Sequence, residues 1–311
     1  MLPIELILPR KPKTRSGSAE SVRSAESVEN IRLSGLFRGA KYRALWPIGF
    51  ALAAACAPNV ASSPAAATVR ILVYNIHAGK DAGGTDNLER VAQLLRHSGA
   101  DIALLQEVDK GTRRSGGVDQ PAVLARLTGF RAAFGKTLDY QDGEYGIAIL
   151  SRWPIRSETL ISLPVSPPQE RAGGSYEPRG AQRVVIASPF GDVVAINTHL
   201  DASSGDDWRR QEVRTVLAIA DSARARPGAR LLVGGDFNST PESAVQDTIR
   251  ASALRDAWLL CGRGDGFTYP AKAGVKRIDY LYLEATMRCV SAEVLESDAS
   301  DHRPLVVHVR F

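Results

Sequence analysis

Three things are scarce in this chain of 311 residues, and each scarcity narrows what it can be. Long apolar runs are missing: the most apolar stretch, Ala44 to Cys56, is too short to span a bilayer, and no other comes closer. Cysteine is rare, with three in all, and beyond residue 60 only Cys261 and Cys289 remain. In an oxidising compartment these two could pair, and in a reducing one they would be ordinary thiols; their spacing leaves both open. A basic surplus is missing where it would matter. Nine of the 39 Lys and Arg and four of the 34 Asp and Glu lie in residues 1–45, which leaves 30 of each for the rest. The pI of 9.2 therefore belongs to the amino end, and the remainder lacks the net charge that phosphate tracking along a nucleic acid favours. No internal repeat is present. The hydrophobic share of 44% and charged share of 23% suit a globular protein with a sizeable core.

Three segments are expected. Residues 1–37 are polar and Ser-rich without apolar periodicity, and read as a disordered leader or the product of a start codon assigned too early. Residues 38–67 read as an export signal. Arg38, Lys41 and Arg43 precede the short apolar run, and Ala65-Ala66-Ala67 fits a signal-peptidase site. A second reading is a lipobox, Leu52-Ala53-Ala54-Ala55-Cys56, which would place a lipid anchor on Cys56, although Ala53 stands where Leu is usual. The expected location is therefore periplasmic or secreted. Residues 68–311 form the folded domain, expected to act as a monomer.

Within that domain, apolar runs ending in polar groups alternate with helical periods. Arg70–His77 reads as a strand, and Leu88, Val91, Ala92 and Leu95 follow as a helix face capped by Asp86. Asp101–Leu105 is a second strand with Gln106-Glu107 at its tip. A short helix is expected over 120–127 and a strand over 144–151, stopped by Pro154. Residues 164–174 read as a long loop. A hairpin of 182–188 and 192–199 is expected to turn at Gly191-Asp192 and to present Asn197, His199 and Asp201 on one side. A helix over 206–226 leads to the central strand, Leu231-Leu232-Val233-Gly234-Gly235-Asp236-Phe237-Asn238. A short helix after Pro241 and strands near 278–284, 288–296 and 304–311 complete the chain.

The central strand carries the sharpest signal. Asp236 and Asn238, at i and i+2, would share a side in extended backbone, placing a carboxylate and an amide together at a strand end. Asp279 lies within an apolar strand, where a carboxylate costs several kcal/mol unless paired. Ser300-Asp301-His302 supplies a candidate partner: Asp279 would hold the tautomer of His302 and leave its other nitrogen for a proton. Each motif alone is ordinary. Polar groups suited to phosphate or metal chemistry at the ends of at least five strands point to one convergent site.

From Arg70 onward the chain resembles the endonuclease/exonuclease/phosphatase superfamily, the deoxyribonuclease I-like metallophosphodiesterases. The resemblance is carried by Tyr74-Asn75-Ile76-His77, Gln106-Glu107-Val108-Asp109, Tyr145–Ser151, Asn197-Thr198-His199-Leu200-Asp201, Gly235-Asp236-Phe237-Asn238, Arg277-Ile278-Asp279-Tyr280 and Ser300-Asp301-His302. It implies a four-layer α/β sandwich of two packed mixed sheets flanked by helices. It implies Mg²⁺ (or Mn²⁺) held chiefly by Glu107, with Asn75 and Asp301. Asp236 would activate water, Asn238 position it and His199 stabilise the phosphate oxygens, while His302, paired with Asp279, would move a proton. Asn75, Arg179 and Asn197 would contact the substrate. Two positions depart from the pattern: His77 stands where abasic-DNA repair members have Asp, and Ile147 where many relatives have Asn.

The expected activity is metal-dependent hydrolysis of a phosphodiester, with lipid headgroups or small diesters ranked above nucleic acid because the domain is formally neutral. A secreted nuclease and a non-catalytic binding protein on the same scaffold are the alternatives.

Overall fold

The computed structural model describes residues 68–311 apart from 226, 227 and 229. The leader, export signal and lipobox expected over residues 1–67 lie outside the described residues.

In chain order the elements are β1 (Thr68–Asn75), α1 (Leu88–His97), β2 (Ile102–Lys110), α2 (Gln120–Thr128), β3 (Arg131–Tyr140), β4 (Gly143–Ser151) and β5 (Ile155–Ser162). They continue with β6 (Gly180–Ser188), β7 (Gly191–His199), α3 (Asp207–Arg224), β8 (Arg230–Asp236) and α4 (Ala244–Arg250). The last are β9 (Arg255–Asp256), α5 (Ala257–Cys261), β10 (Asp279–Leu283), β11 (Arg288–Val294) and β12 (Leu305–Arg310). Two six-stranded sheets result, ordered β11-β12-β1-β2-β4-β3 and β5-β6-β7-β8-β10-β9. Each is mixed, with one parallel pair, β1–β2 and β7–β8.

The period of two explains the layering. Val69, Ile71 and Val73 of β1 pack with Val193 and Ala195 of β7, Leu232 of β8 and Leu281 of β10, forming the core between the sheets. Their alternates Leu72 and Tyr74 meet Val91, Ala92 and Leu95 of α1. On the other sheet, Leu231 and Val233 meet Val213, Val216 and Ala220 of α3. Strands covered on both faces read as continuous apolar runs, which is why the central ones were legible. The four-layer sandwich is the expected fold.

Several local expectations differ. Asp86 does not cap α1; Asn87 occupies that position without a side-chain bond, and Asp86 pairs instead with Lys80 at 2.6 Å. The β6–β7 hairpin turns two residues earlier, at Pro189-Phe190, since Ser188 already pairs with Gly191. β3 and β5 are additional strands. Both lie at sheet edges, where exposed residues such as Arg131, Arg156 and Glu158 replace apolar alternation. Cys261 and Cys289 form a disulfide joining α5 to β11.

Candidate active site

Strand register assembles the site before any side chain is considered. β7 and β8 run parallel with His199 opposite Asp236, and β10 runs antiparallel with Asp279 opposite Asp236. One row across the second sheet is thus His199, Asp236, Asp279. In the first sheet Asn75 pairs with Gln106, and the segment preceding β12 returns His302 to the same end. Close approach makes this possible at Gly235, where φ is +144° and a Cβ would lie 1.9 Å from the Thr198 carbonyl oxygen.

Asp236 is the hub. Its Oδ2 accepts from Asn75 Nδ2 at 3.0 Å and lies 3.5 Å from His199 Nε2 and 3.6 Å from His302 Nε2. Its Oδ1 accepts the backbone N–H of Asn238 at 2.9 Å. That local turn, with Asn238 in left-handed backbone at φ +46°, brings Asn238 into the cleft; strand alternation does not. Burial pushes the Asp236 carboxyl up to about 7, with the Asp279 charge adding to the rise and His302 opposing it. His302 Nδ1 lies 2.9 Å from Asp279 Oδ2. Burial opposes charge on this ring, but the Asp279 and Asp236 carboxylates overcome it and raise its pKa to about 10. Burial, then Arg179, then His302, push His199 well below the ordinary imidazole range. The two environments thus push in opposite directions, His302 toward the cation and His199 toward the neutral ring.

Glu107 reaches the cleft through a bulge. The β2–β4 register shifts between Leu105 and Val108, and Glu107 adopts φ +54°. A non-glycine residue in that region is strained, and here the bulge re-aims a carboxylate. Glu107 and Asp301 line one cavity of about 400 Å³ together with Arg179, His199, Asp236 and His302. The burial-raised pKa of Tyr269 is pushed up further by the charges of Asp301, Asp236 and Glu107, so these carboxylates share one field.

The donor chemistry fits a hard divalent cation, since Glu107 and Asp301 offer carboxylate oxygens at the cleft and Mg²⁺ is commonly held by one or two carboxylates plus water. Asp236, Asp279 and His302 also present donor atoms within 4.8 Å of one another. There, however, the Asp279–His302 hydrogen bond uses Nδ1, which is the arrangement of a proton-transfer pair.

Three of the expected residues are held by other protein groups. Asn75 is buried, its NH₂ bridges Glu107 Oε1 at 3.1 Å and Asp236, and its Oδ1 accepts from His77 N at 3.0 Å. It positions the two carboxylates. Asn197 is fully buried and does not face the cleft. Its Nδ2 donates to Leu105 O at 2.9 Å and Ala148 O at 3.0 Å, and its Oδ1 accepts from Gln106 Nε2 at 2.7 Å, which fastens one sheet to the other. Asp201 lies beyond the end of β7, and its carboxylate accepts from Tyr176 N and Ser203 N, so it organises the loops. Arg179 does line the cleft, but it is buried against Glu177 Oε1 at 3.0 Å and contacts His199 Nδ1 at 2.7 Å. Ser300 ties the His302 segment to β1 by donating to Asn75 O at 2.7 Å.

Sequence reasoning missed Tyr269, whose ring lies 4.8 Å from that of His302, and Lys276 on the cleft wall. Both sit between strands, where no period marks them. Glu177 was also missed, although its position two residues before Arg179 was a signal for an ion pair.

Two packed mixed sheets thus carry a carboxylate–histidine cluster at one end. Residues 72–302 match the Endonuclease/Exonuclease/phosphatase family, and the chain belongs to it. Solved structures agree on the fold. An endonuclease/exonuclease/phosphatase from Beutenbergia cavernae aligns with a TM-score of 0.65 at 22% identity, covering 78% of this chain and 72% of that one. A mannosyl-6-phosphatase from Bacteroides thetaiotaomicron aligns at 0.64 and 17%, covering 78% and 100%. The human Nocturnin catalytic domain, with bound sulfate, aligns at 0.61 and 22%, covering 78% and 93%.

Proposed function

We propose that this protein is a divalent-metal-dependent phosphoesterase that cleaves a small or lipid-headgroup phosphodiester by in-line attack of water. The observation that carries the reading is Asp236, buried between two imidazoles of opposite character beside a cleft holding two further carboxylates. Glu107 and Asp301 would hold the Mg²⁺ (or Mn²⁺), which when bound supplies Lewis-acid charge stabilisation to the phosphate oxygens. Asp236 takes a proton from the attacking water, and its raised pKa makes it a stronger base than an exposed carboxylate. Asn75 and the Asn238 backbone N–H hold it in place. The Asn238 amide, at the cleft, orients the water. His199 donates to a non-bridging oxygen as charge develops there. His302, held at Nδ1 by Asp279, delivers its Nε2 proton to the leaving oxygen, so one proton enters Asp236 as another leaves His302.

Substrate preference follows from enclosure and charge. A cavity of about 400 Å³ admits a headgroup-sized ester, and 30 basic against 30 acidic residues outside 1–45 give no surplus for tracking a backbone. A mannosyl-6-phosphatase among the structural neighbours supports a small phosphoester as the substrate class. The apolar run after Arg43, together with the disulfide, supports export, with Cys56 as a lipid-anchor site.

The test is a panel of small phosphodiesters, phospholipids and plasmid DNA assayed over a range of salt. A small or lipid diester is expected to turn over best, with shallow salt dependence. Efficient, strongly salt-sensitive plasmid cleavage would make the protein a nuclease instead.

A further inference from the structure

The His199 ring is gripped at both nitrogens, and the grip decides where its proton sits. Arg179 Nη1 lies 2.7 Å from Nδ1. A guanidinium has only donors and stays protonated in proteins, so Nδ1 must be the acceptor and carries a lone pair. In a neutral imidazole the remaining proton is then on Nε2. The opposite tautomer, or an imidazolium, would set an N–H against a buried cation's N–H.

On the cleft side Nε2 faces Asp236 Oδ2 at 3.5 Å and Asn238 Nδ2 at 3.1 Å. One N–H of the Asn238 amide donates to Leu200 O at 2.9 Å, and the acceptor that faces a proton on Nε2 is Asp236 Oδ2 at 3.5 Å. The alternative, Nε2 accepting from Asn238, would exchange a charge-assisted contact at Nδ1 for a neutral one, and the charged contact is the stronger. Arg179 is itself immobilised, paired with Glu177 at 3.0 Å and donating through Nη2 to Gly174 O at 3.1 Å. The charged groups facing the ring are Arg179, with Glu177 behind it, from the segment before β6, Asp236 from β8, and His302 from the segment before β12.

We propose that Arg179 is a positioning residue that locks His199 in the neutral Nε2–H tautomer, making it a fixed, uncharged hydrogen-bond donor to the cleft. His199 then carries no reaction proton, and proton traffic is confined to Asp236 and His302. Asp279 and Arg179 thus do opposite things to two similar rings: a carboxylate behind His302 favours its cation, and a cation behind His199 forbids it. Burial and the two neighbouring cations favour the same neutral form. The catalytic meaning rests on the hydrolase reading, but the tautomer does not, so the test uses no turnover.

Long-range proton–nitrogen NMR on the full chain labelled with ¹⁵N-histidine resolves the tautomers of its five histidines, and His199→Asn assigns the relevant ring by its loss. The expected His199 pattern is an unprotonated Nδ1 and a protonated Nε2, unchanged between about pH 5 and pH 8. An Nδ1–H pattern, or a ring that titrates in that interval, overturns the proposal. Arg179→Gln is expected to give mixed tautomers and a titrating ring; a pattern identical to that of the wild type overturns Arg179 as the lock. If that variant does not fold, the wild-type spectrum remains decisive by itself. Inactivity of the protein toward every phosphodiester would refute the hydrolase reading and leave this result standing.

Discussion

Replacing Asn197 by Ala separates a structural role from a substrate contact. Asn197 is fully buried and makes three hydrogen bonds, two to carbonyls of β2 and β4 and one from Gln106, all across the space between the sheets. Each is worth about 1 kcal/mol net, and truncation also strands one of the two Gln106 Nε2 protons, the other still donating to Leu104 O, at a further cost of roughly 1–3 kcal/mol. The expected destabilisation is therefore about 4–6 kcal/mol, or a fall in melting temperature on the order of 10 °C for a domain of this size. Urea unfolding followed by fluorescence measures it: the midpoint should drop with the slope unchanged, because the surface exposed on unfolding is the same. At temperatures where the variant is folded, KM should stay within about twofold of wild type. A variant of wild-type stability with KM raised roughly tenfold would refute the reasoning and return Asn197 to the substrate.

Two further outcomes follow from the same structure. Burial raises the Glu212 carboxyl to about 7 from an ordinary 4.5, so the folded state binds a proton more tightly than the unfolded one, and stability should fall as pH rises from about 4.5 to about 7. Glu212→Gln should remove a share of that fall on the order of 3 kcal/mol, measured by unfolding at pH 5 and pH 8; equal pH dependence in both proteins would contradict it. Removing the Cys261–Cys289 bridge, which joins residues 28 apart in sequence, should cost about 3–4 kcal/mol, and because neither cysteine lines the cleft kcat should be preserved; an unaltered unfolding midpoint in the double Ser variant would exclude a stabilising bridge.

How far the sequence could be read depended on what each residue's signal is made of. β1, β2, β7 and β8 announce themselves because burial on both faces leaves only apolar residues until the polar strand ends. β3 and β5 do not, because an edge strand keeps its exposed charges. The pairing of Asp279 with His302 was legible because a carboxylate in an apolar strand demands a partner. The direction of a side-chain amide was not. Asn75, Asn197 and Asn238 stand in similar motifs, yet one positions two carboxylates, one fastens the sheets and one reaches the cleft through a left-handed turn. Tyr269 and Lys276 lie outside any periodic element, and only the folded chain brings them to the site.

The central claim, that Asp236 works beside a divalent cation held by Glu107 and Asp301, is tested most directly by hydrolysis of one responsive phosphodiester under metal control. Wild-type protein should lose turnover in excess chelator and regain it with Mg²⁺ or Mn²⁺, while Asp236→Asn, folded by circular dichroism, should remain at least ~10²-fold slower with metal present. Undiminished wild-type turnover in chelator, or wild-type rates from Asp236→Asn, would contradict the account.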